Sequence, residues 1–227
     1  MFCKISIYHL HIPRTSGVFI RNIVQKHYPD KKVIADHYSR LYDERFQESD
    51  FINGHFALSP VKFSDTTFTI LRDPVERTFS YMIYVWMHYF SQQYPPEKIL
   101  EFFINTEHIR NNMSNMQSKF LTGFVNYDKY NDILETKEYI YRIYNNWFIE
   151  NNEKTAIEQI KQNNIIVLDY DDNKLYDKIC DIYSVSDDNR EPINQATKEF
   201  DSLKNIFYKD IEEMNKEDIL LYNSIMV

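Results

Sequence analysis

The sequence predicts an α/β domain: a central parallel sheet flanked by helices, with a helix-rich C-terminal half. Three observations carry this. Short β-branched and apolar runs alternate with helical patterns along the chain, the order that builds a parallel sheet. The run at residues 66–71 passes directly into a helix with a complete set of start signals. At 227 residues and 43% apolar content, the chain is long enough to bury one core. With no repeat, low-complexity tract or linker in view, residues 1–227 are read as a single domain.

Taken in order, residues 2–10 read as the first strand, with Cys3, Ile5 and Ile7 on one face. A polar turn, His11-Ile12-Pro13-Arg14-Thr15-Ser16-Gly17, leads to a helix over 18–27 whose apolar face holds Phe19, Ile20, Ile23 and Val24. A short second strand is expected at 32–36, a charged surface segment at 39–50 and a third strand at 51–56. The fourth strand, 66–71, ends at Arg72. Asp73 then serves as N-cap, Pro74 takes the first helical position, and Glu76 falls where a capping box places its carboxylate. Val75, Phe79, Met82, Ile83, Trp86 and Phe90 follow at helical spacing as one buried face.

Pro95 and Pro96 break the chain before a short helix at 97–105. Residues 115–123 read as a helix ending at a glycine C-cap. Residues 136–162 are rich in helix formers and aromatics, with a second short helix from Glu153; the aromatics are read as core rather than as a sugar-stacking platform. The continuous apolar run Ile165-Ile166-Val167-Leu168 predicts a fully buried parallel strand. Asp169, Asp171 and Asp172 after it are read as a solvated turn rather than a metal loop, since no calcium-loop glycine and glutamate follow. Helices are expected at 175–183, 201–214 and 217–226, with a polar stretch at 186–197.

Composition narrows the function. The net charge of −8 argues against a nucleic-acid partner, and any polyanionic ligand requires positive charge gathered locally. The two cysteines, Cys3 and Cys180, lie outside any metal spacing and are expected as reduced, buried thiols. No apolar run suits a membrane span and no signal-peptide pattern is seen, so a cytoplasmic location is expected. Only three glycines occur, Gly17, Gly54 and Gly123, and each falls in a segment of interest.

The strand–turn–helix at 2–27 has the layout of a phosphate cradle, with backbone N–H groups and a helix N-terminus facing an anion and Arg14 as the nearby cation. No Walker A pattern is present. Arg72 stands at the carboxyl end of a strand, and Ser80 two turns into the next helix. A forked cation and a hydroxyl there suit a phosphate.

The order Arg72-Asp73-Pro74-x-x-Arg77-x-x-Ser80 resembles the 3′-phosphate motif of the sulfotransferases, which use 3′-phosphoadenosine 5′-phosphosulfate (PAPS) as sulfuryl donor. Residues 11–17 resemble that family's 5′-phosphosulfate loop. Arg14 replaces its usual lysine, Ser16-Gly17 its glycine pair, and Val18-Phe19 its hydroxyl-bearing pair. The segment Gly54-His55 resembles the position of the catalytic base in the carbohydrate 2-O-sulfotransferase branch. Asn115-x-Gln117-x-Lys119-x-Leu121-x-Gly123, Arg190 to Asn194, and Asp218-x-x-Leu221-Tyr222 resemble further segments of the family.

The resemblance implies a P-loop-like sulfotransferase fold and PAPS-dependent transfer to a hydroxyl, on a carbohydrate acceptor, with 3′-phosphoadenosine 5′-phosphate (PAP) as product and no metal. It implies that Arg14, Thr15, Ser16 and Gly17 hold the 5′ end of the donor, with Arg14 also offsetting charge on the leaving oxygen. Arg72 and Ser80 would hold the 3′-phosphate, with Asn194 and Arg190 from a closing loop. His55 would be the base, with His37 in reserve, and Lys119 would face the cofactor or an acidic substrate. Two alternatives stay open: a nucleotide-dependent phosphotransferase with a divergent loop, and a nucleotide-binding module without turnover.

Overall fold

The computed structural model describes residues 5–34, 49–55, 58, 61, 64–122, 153–186 and 200–226. Strand β1 (Ile5–Leu10) lies at the centre of the sheet. The others are β2 (Val33–Ile34), β3 (Phe51–Gly54), β4 (Ser64–Leu71) and β5 (Ile166–Asp169). All pair in parallel, in the order β2-β3-β1-β4-β5.

The helices follow in chain order. They are α1 (Gly17–His27), α2 (Pro74–Tyr89), α3 (Pro96–Asn105), α4 (Glu107–Met113) and α5 (Met116–Thr122), then α6 (Glu153–Gln162), α7 (Leu175–Tyr183), α8 (Asp201–Met214) and α9 (Lys216–Met226).

Strand periodicity sorts the side chains into two layers. Ile7, Phe68 and Ile70 pack with Ile20, Ile23 and Val24 of α1 and with Leu175, Ile179 and Tyr183 of α7. Tyr8, Leu10 and Leu71 pack on the opposite side with α5, α6 and α9. A third cluster joins α2, α3, α4 and α8 through Phe79, Met82, Phe103, Met113 and Ile211. The expected α/β architecture, a parallel sheet flanked by helices, is the one observed.

This topology has one consequence for function. The chain leaves β1 toward β2 at one edge of the sheet, and leaves β4 toward β5 at the other. β1 and β4 are neighbours, so their connections diverge and open a crevice at their carboxyl ends. That is where open parallel sheets bind ligands.

Several elements differ from expectation. β5 is an edge strand with Ile166 42% exposed, not the fully buried strand that its apolar run suggested. Composition alone does not reveal whether a run has one neighbour or two. Helix α4 was not foreseen, because its buried face consists only of Ile109 and Met113. On α2, Trp86 and Phe90 are half-buried and pack at the margin of the helical cluster. Asp73 caps α2 as expected, accepting from the Glu76 N–H at 2.9 Å, a bond of about 1 kcal/mol. The Glu76 carboxylate, however, meets Lys204 at 2.6 Å and Arg72 at 3.9 Å. Cys180 is buried in the core, whereas Cys3 lies outside the described residues. No helix among the described residues is long and apolar enough to cross a membrane.

Candidate functional site

The β1–α1 junction is a strained turn. Arg14 and Ser16 both adopt left-handed backbone conformations, with φ of 72° and 71°, though neither is glycine. Such residues cost on the order of 1–3 kcal/mol each and cluster at ligand sites. Thr15 is fully buried and turned inward. Its hydroxyl donates to the Ile12 carbonyl at 2.7 Å, and its N–H reaches the same oxygen at 3.3 Å. Thr15, expected at the 5′ end of the donor, therefore uses both its hydroxyl and its N–H to close the turn. Ser16 is the N-cap of α1, and its buried Oγ has no hydrogen-bond partner among the described residues. The first turn of α1 carries no acidic side chain.

The β4–α2 junction brings its residues to the same place. Arg14 Nε–H donates to Ser80 Oγ at 3.1 Å, and its guanidinium lies 5.0 Å over the ring of Tyr84, one turn further along α2. Burial first, and then the positive charge of Arg72, lower the pKa of Arg14. Among the described residues no carboxylate lies within salt-bridge distance of Arg14. Arg72 lies 4.5 Å over the ring of Tyr170, which directly follows β5, and among the described residues its ion pair is with Glu76, at 3.9 Å. Two arginines, 58 positions apart in the chain, thus share the crevice between β1 and β4. Two like charges partly removed from water repel each other, and an anion between them relieves the repulsion.

Arg72 is held by its backbone. Gln117, fully buried on α5, accepts from the Arg72 N–H at 2.9 Å and donates to the Arg72 carbonyl at 3.0 Å. Buried Asp218 on α9 accepts from the N–H groups of Gln117 and Ser118, at 2.9 and 2.7 Å, and so caps α5. Tyr222, one turn on, donates to Asp169 at the end of β5 at 3.0 Å. The terminal Asp218-to-Tyr222 pattern therefore braces the strand ends beneath the site. Gln117→Leu leaves two part-buried backbone groups of Arg72 unpaired, at up to about 1–3 kcal/mol each. The expected result is a lower denaturation midpoint together with weaker anion binding, measured by urea titration and calorimetry.

Arg77, the second arginine of the motif, does not face the crevice. It is fully buried and donates to Met116 Sδ, Thr78 Oγ1 and the Met113 carbonyl, tying α2 to α4 and α5. Burial pushes its pKa down to about 10. Lys119 donates to the Asn111 carbonyl at the α4–α5 junction, and burial lowers its pKa to about 8.

His55, just past β3, is buried. Its Nδ1–H donates to the His11 carbonyl, which leaves the ring lone pair on Nε2, the nitrogen able to take a proton. It belongs to a row of rings. Phe68 and His9 stack at 4.6 Å, His9 and His11 at 5.3 Å, and His11 and His55 at 4.3 Å; Phe120 meets His55 edge-on at 5.8 Å. His9 is fully buried, which drives its pKa down to about 3 and keeps the ring neutral.

Gly17 lies against this row. A Cβ there would meet His11 ring atoms at 1.9–2.4 Å. Alanine at a helix start would otherwise gain up to about 1 kcal/mol over glycine. Here the ring is stacked on both sides and cannot swing clear, so the clash wins. Gly17→Ala is expected to destabilise the fold by about 1–3 kcal/mol, read as a lower melting temperature.

The structure therefore gathers Arg14, Ser16, Gly17, Arg72 and Ser80 at one sheet edge, with His55 at the neighbouring strand end. Asn194, Arg190 and His37 lie outside the described residues. Sequence reasoning assigned no role to Gln117, Tyr84, Tyr170, His9 or Asn53. Some signals were available: Tyr84 is four residues after Ser80, Tyr170 follows a strand end, and His9 and His11 alternate toward the end of β1. Asp169 at the end of β5, with Asp171 and Asp172 after it, forms the expected turn: Asp172 accepts from the Lys174 N–H at 2.8 Å and Asp169 from the Asp171 N–H at 3.1 Å. In comparisons with known proteins, no family model, no curated protein and no solved structure matches the chain.

Proposed function

We propose that this chain is a sulfotransferase that moves a sulfuryl group from PAPS to a hydroxyl of a carbohydrate acceptor and releases PAP. The observation that carries the reading is the meeting of Arg14 and Arg72. They come from separate strand–helix junctions into one crevice, and Arg14 has no carboxylate partner among the described residues. A multiply charged anion is the ligand that such a pair favours. The residues fit the donor. The Ser16 Oγ, unpartnered among the described residues, the α1 N-terminus and Arg14 suit its 5′ end, while Arg72 and Ser80 suit a 3′-phosphate.

The donor supplies an activated sulfuryl group, and the chain's own residues do the rest. His55 Nε2 takes the proton of the acceptor hydroxyl while the acceptor oxygen forms its bond to sulfur. The bridging S–O bond breaks, and its electron pair stays on the 5′-phosphate oxygen. Arg14 stands to offset that charge, together with the first-turn N–H groups of α1. The Nδ1–H bond to the His11 carbonyl holds the His55 tautomer that this step needs.

One observation favours a second reading, a binding module without turnover. Where the resemblance expects two hydroxyls, Val18 is 62% exposed and Phe19 packs on Tyr176 at 5.4 Å. Incubation with labelled PAPS and a panel of glycans, followed by mass detection, separates the two. Sulfated product supports the enzyme. PAP binding without product from any acceptor supports the module. ADP or ATP binding as tightly as PAP would overturn the sulfotransferase reading.

A further inference from the structure

Asn53 on β3 forms a buried bridge between two strands and the start of α1. Its Nδ2–H donates to the Gly17 carbonyl at 2.8 Å, and its Oδ1 accepts from His9 Nδ1–H at 2.8 Å. All three residues are buried, His9 and Asn53 at 0% and 7% exposure. The assignment of donors is closed. An amide oxygen can only accept, so His9 must carry its proton on Nδ1, and Asn53 must then turn its NH2 toward Gly17. Neutral His9, depressed by burial, keeps that polarity.

Gly17 is the first residue of α1, and its carbonyl is one end of the first helical turn. Pinning that oxygen fixes the direction of the first-turn N–H groups, the ones that face an anion. On its other side Gly17 is wedged against His11. The His11 N–H reaches the Gly54 carbonyl at 3.1 Å, and its own carbonyl holds His55. Asn53 and His55 are two residues apart at the end of one strand.

We propose that Asn53, oriented by His9, is a positioning residue. It fixes the α1 N-terminus relative to His55, so that anion donor and proton acceptor are held in one register. This rests on the reading above for the identity of the donor, but not for the existence of the anion site. Asn53 touches no substrate in this account. It acts through Gly17.

The test uses two variants and two probes. Asn53→Asp keeps the acceptor for His9 but removes the donor to Gly17. His9→Phe keeps the stacked ring but removes the Nδ1–H that orients Asn53. Affinities for PAP and for inorganic pyrophosphate are measured by calorimetry on the full chain, with melting temperature alongside. Asn53→Asp is expected to weaken both probes about tenfold or more, as for the loss of one buried hydrogen bond, and His9→Phe to weaken them in the same direction. Unchanged affinity in a folded Asn53→Asp protein overturns the proposal.

Should Asn53→Asp fail to fold, the wild-type protein decides. The Asn53 side-chain amide protons are expected to exchange slowly with solvent and to shift when pyrophosphate is added; fast exchange or no shift overturns the proposal. If the wild type binds pyrophosphate but not PAP, the sulfotransferase reading falls and the positioning role is still judged on pyrophosphate. If it binds neither, both fall.

Discussion

His55→Ala is expected to lower turnover about 10²–10⁴-fold, the usual contribution of a positioned general base, while affinity for PAP stays at the wild-type value. The reason for the split is geometric. His55 sits at the end of β3, whereas the arginines sit at the ends of β1 and β4. The ring is fixed by its bond to the His11 carbonyl and by stacking on His11, so its removal takes away a proton acceptor without touching the cations. Steady-state kinetics with saturating donor, together with calorimetry, read the two effects separately. Near-normal turnover in the alanine variant removes His55 from the chemistry. Lost turnover with equally lost PAP affinity would assign it to the scaffold instead.

Arg14→Ala and Arg72→Ala are each expected to weaken PAP binding by about 2–5 kcal/mol, the cost of truncating one side of a buried charge pair, or at least about thirtyfold. The two should differ in a second respect. Arg14 is placed to stabilise the leaving group, so its loss should also lower turnover at saturating donor. Arg72 is placed for binding alone, and its loss should appear mainly in the KM for the donor. Both variants should fold. Neither guanidinium closes a buried ion pair in the described structure, and removing either relieves the repulsion between the two. Unchanged PAP affinity in either variant removes that residue from the site.

The sequence disclosed the framework because local signals were strong. Asp73, Pro74 and the apolar face of α2 identify that helix, and the run before them identifies β4. The separate elements at 175–183 and 201–214 match α7 and α8 because their amphipathic periods are uninterrupted. The position of β5 was misjudged for a physical reason: Ile165 to Leu168 has the composition of a central strand, but which strands flank it depends on the whole chain. The same distinction runs through the site. Arg14, Arg72 and Ser80 could be singled out because charge and hydroxyl beside a strand end carry their own chemical meaning. Gln117 stood in a family-like segment with no role, and Asn53 was not marked, because a buried amide is informative only once its partners are known, and those lie 45 and 36 or more residues away. Thr15 shows the reverse case, a hydroxyl in the expected place whose hydrogen is used by its own turn.

The most direct test is a crystal structure of this protein with bound PAP. The account predicts the nucleotide in the crevice between β1 and β4, with Arg14 drawn from Ser80 onto a phosphate oxygen and Arg72 on a second phosphate within hydrogen-bonding reach. A nucleotide bound elsewhere, or one contacted by only one of the two arginines, would contradict it.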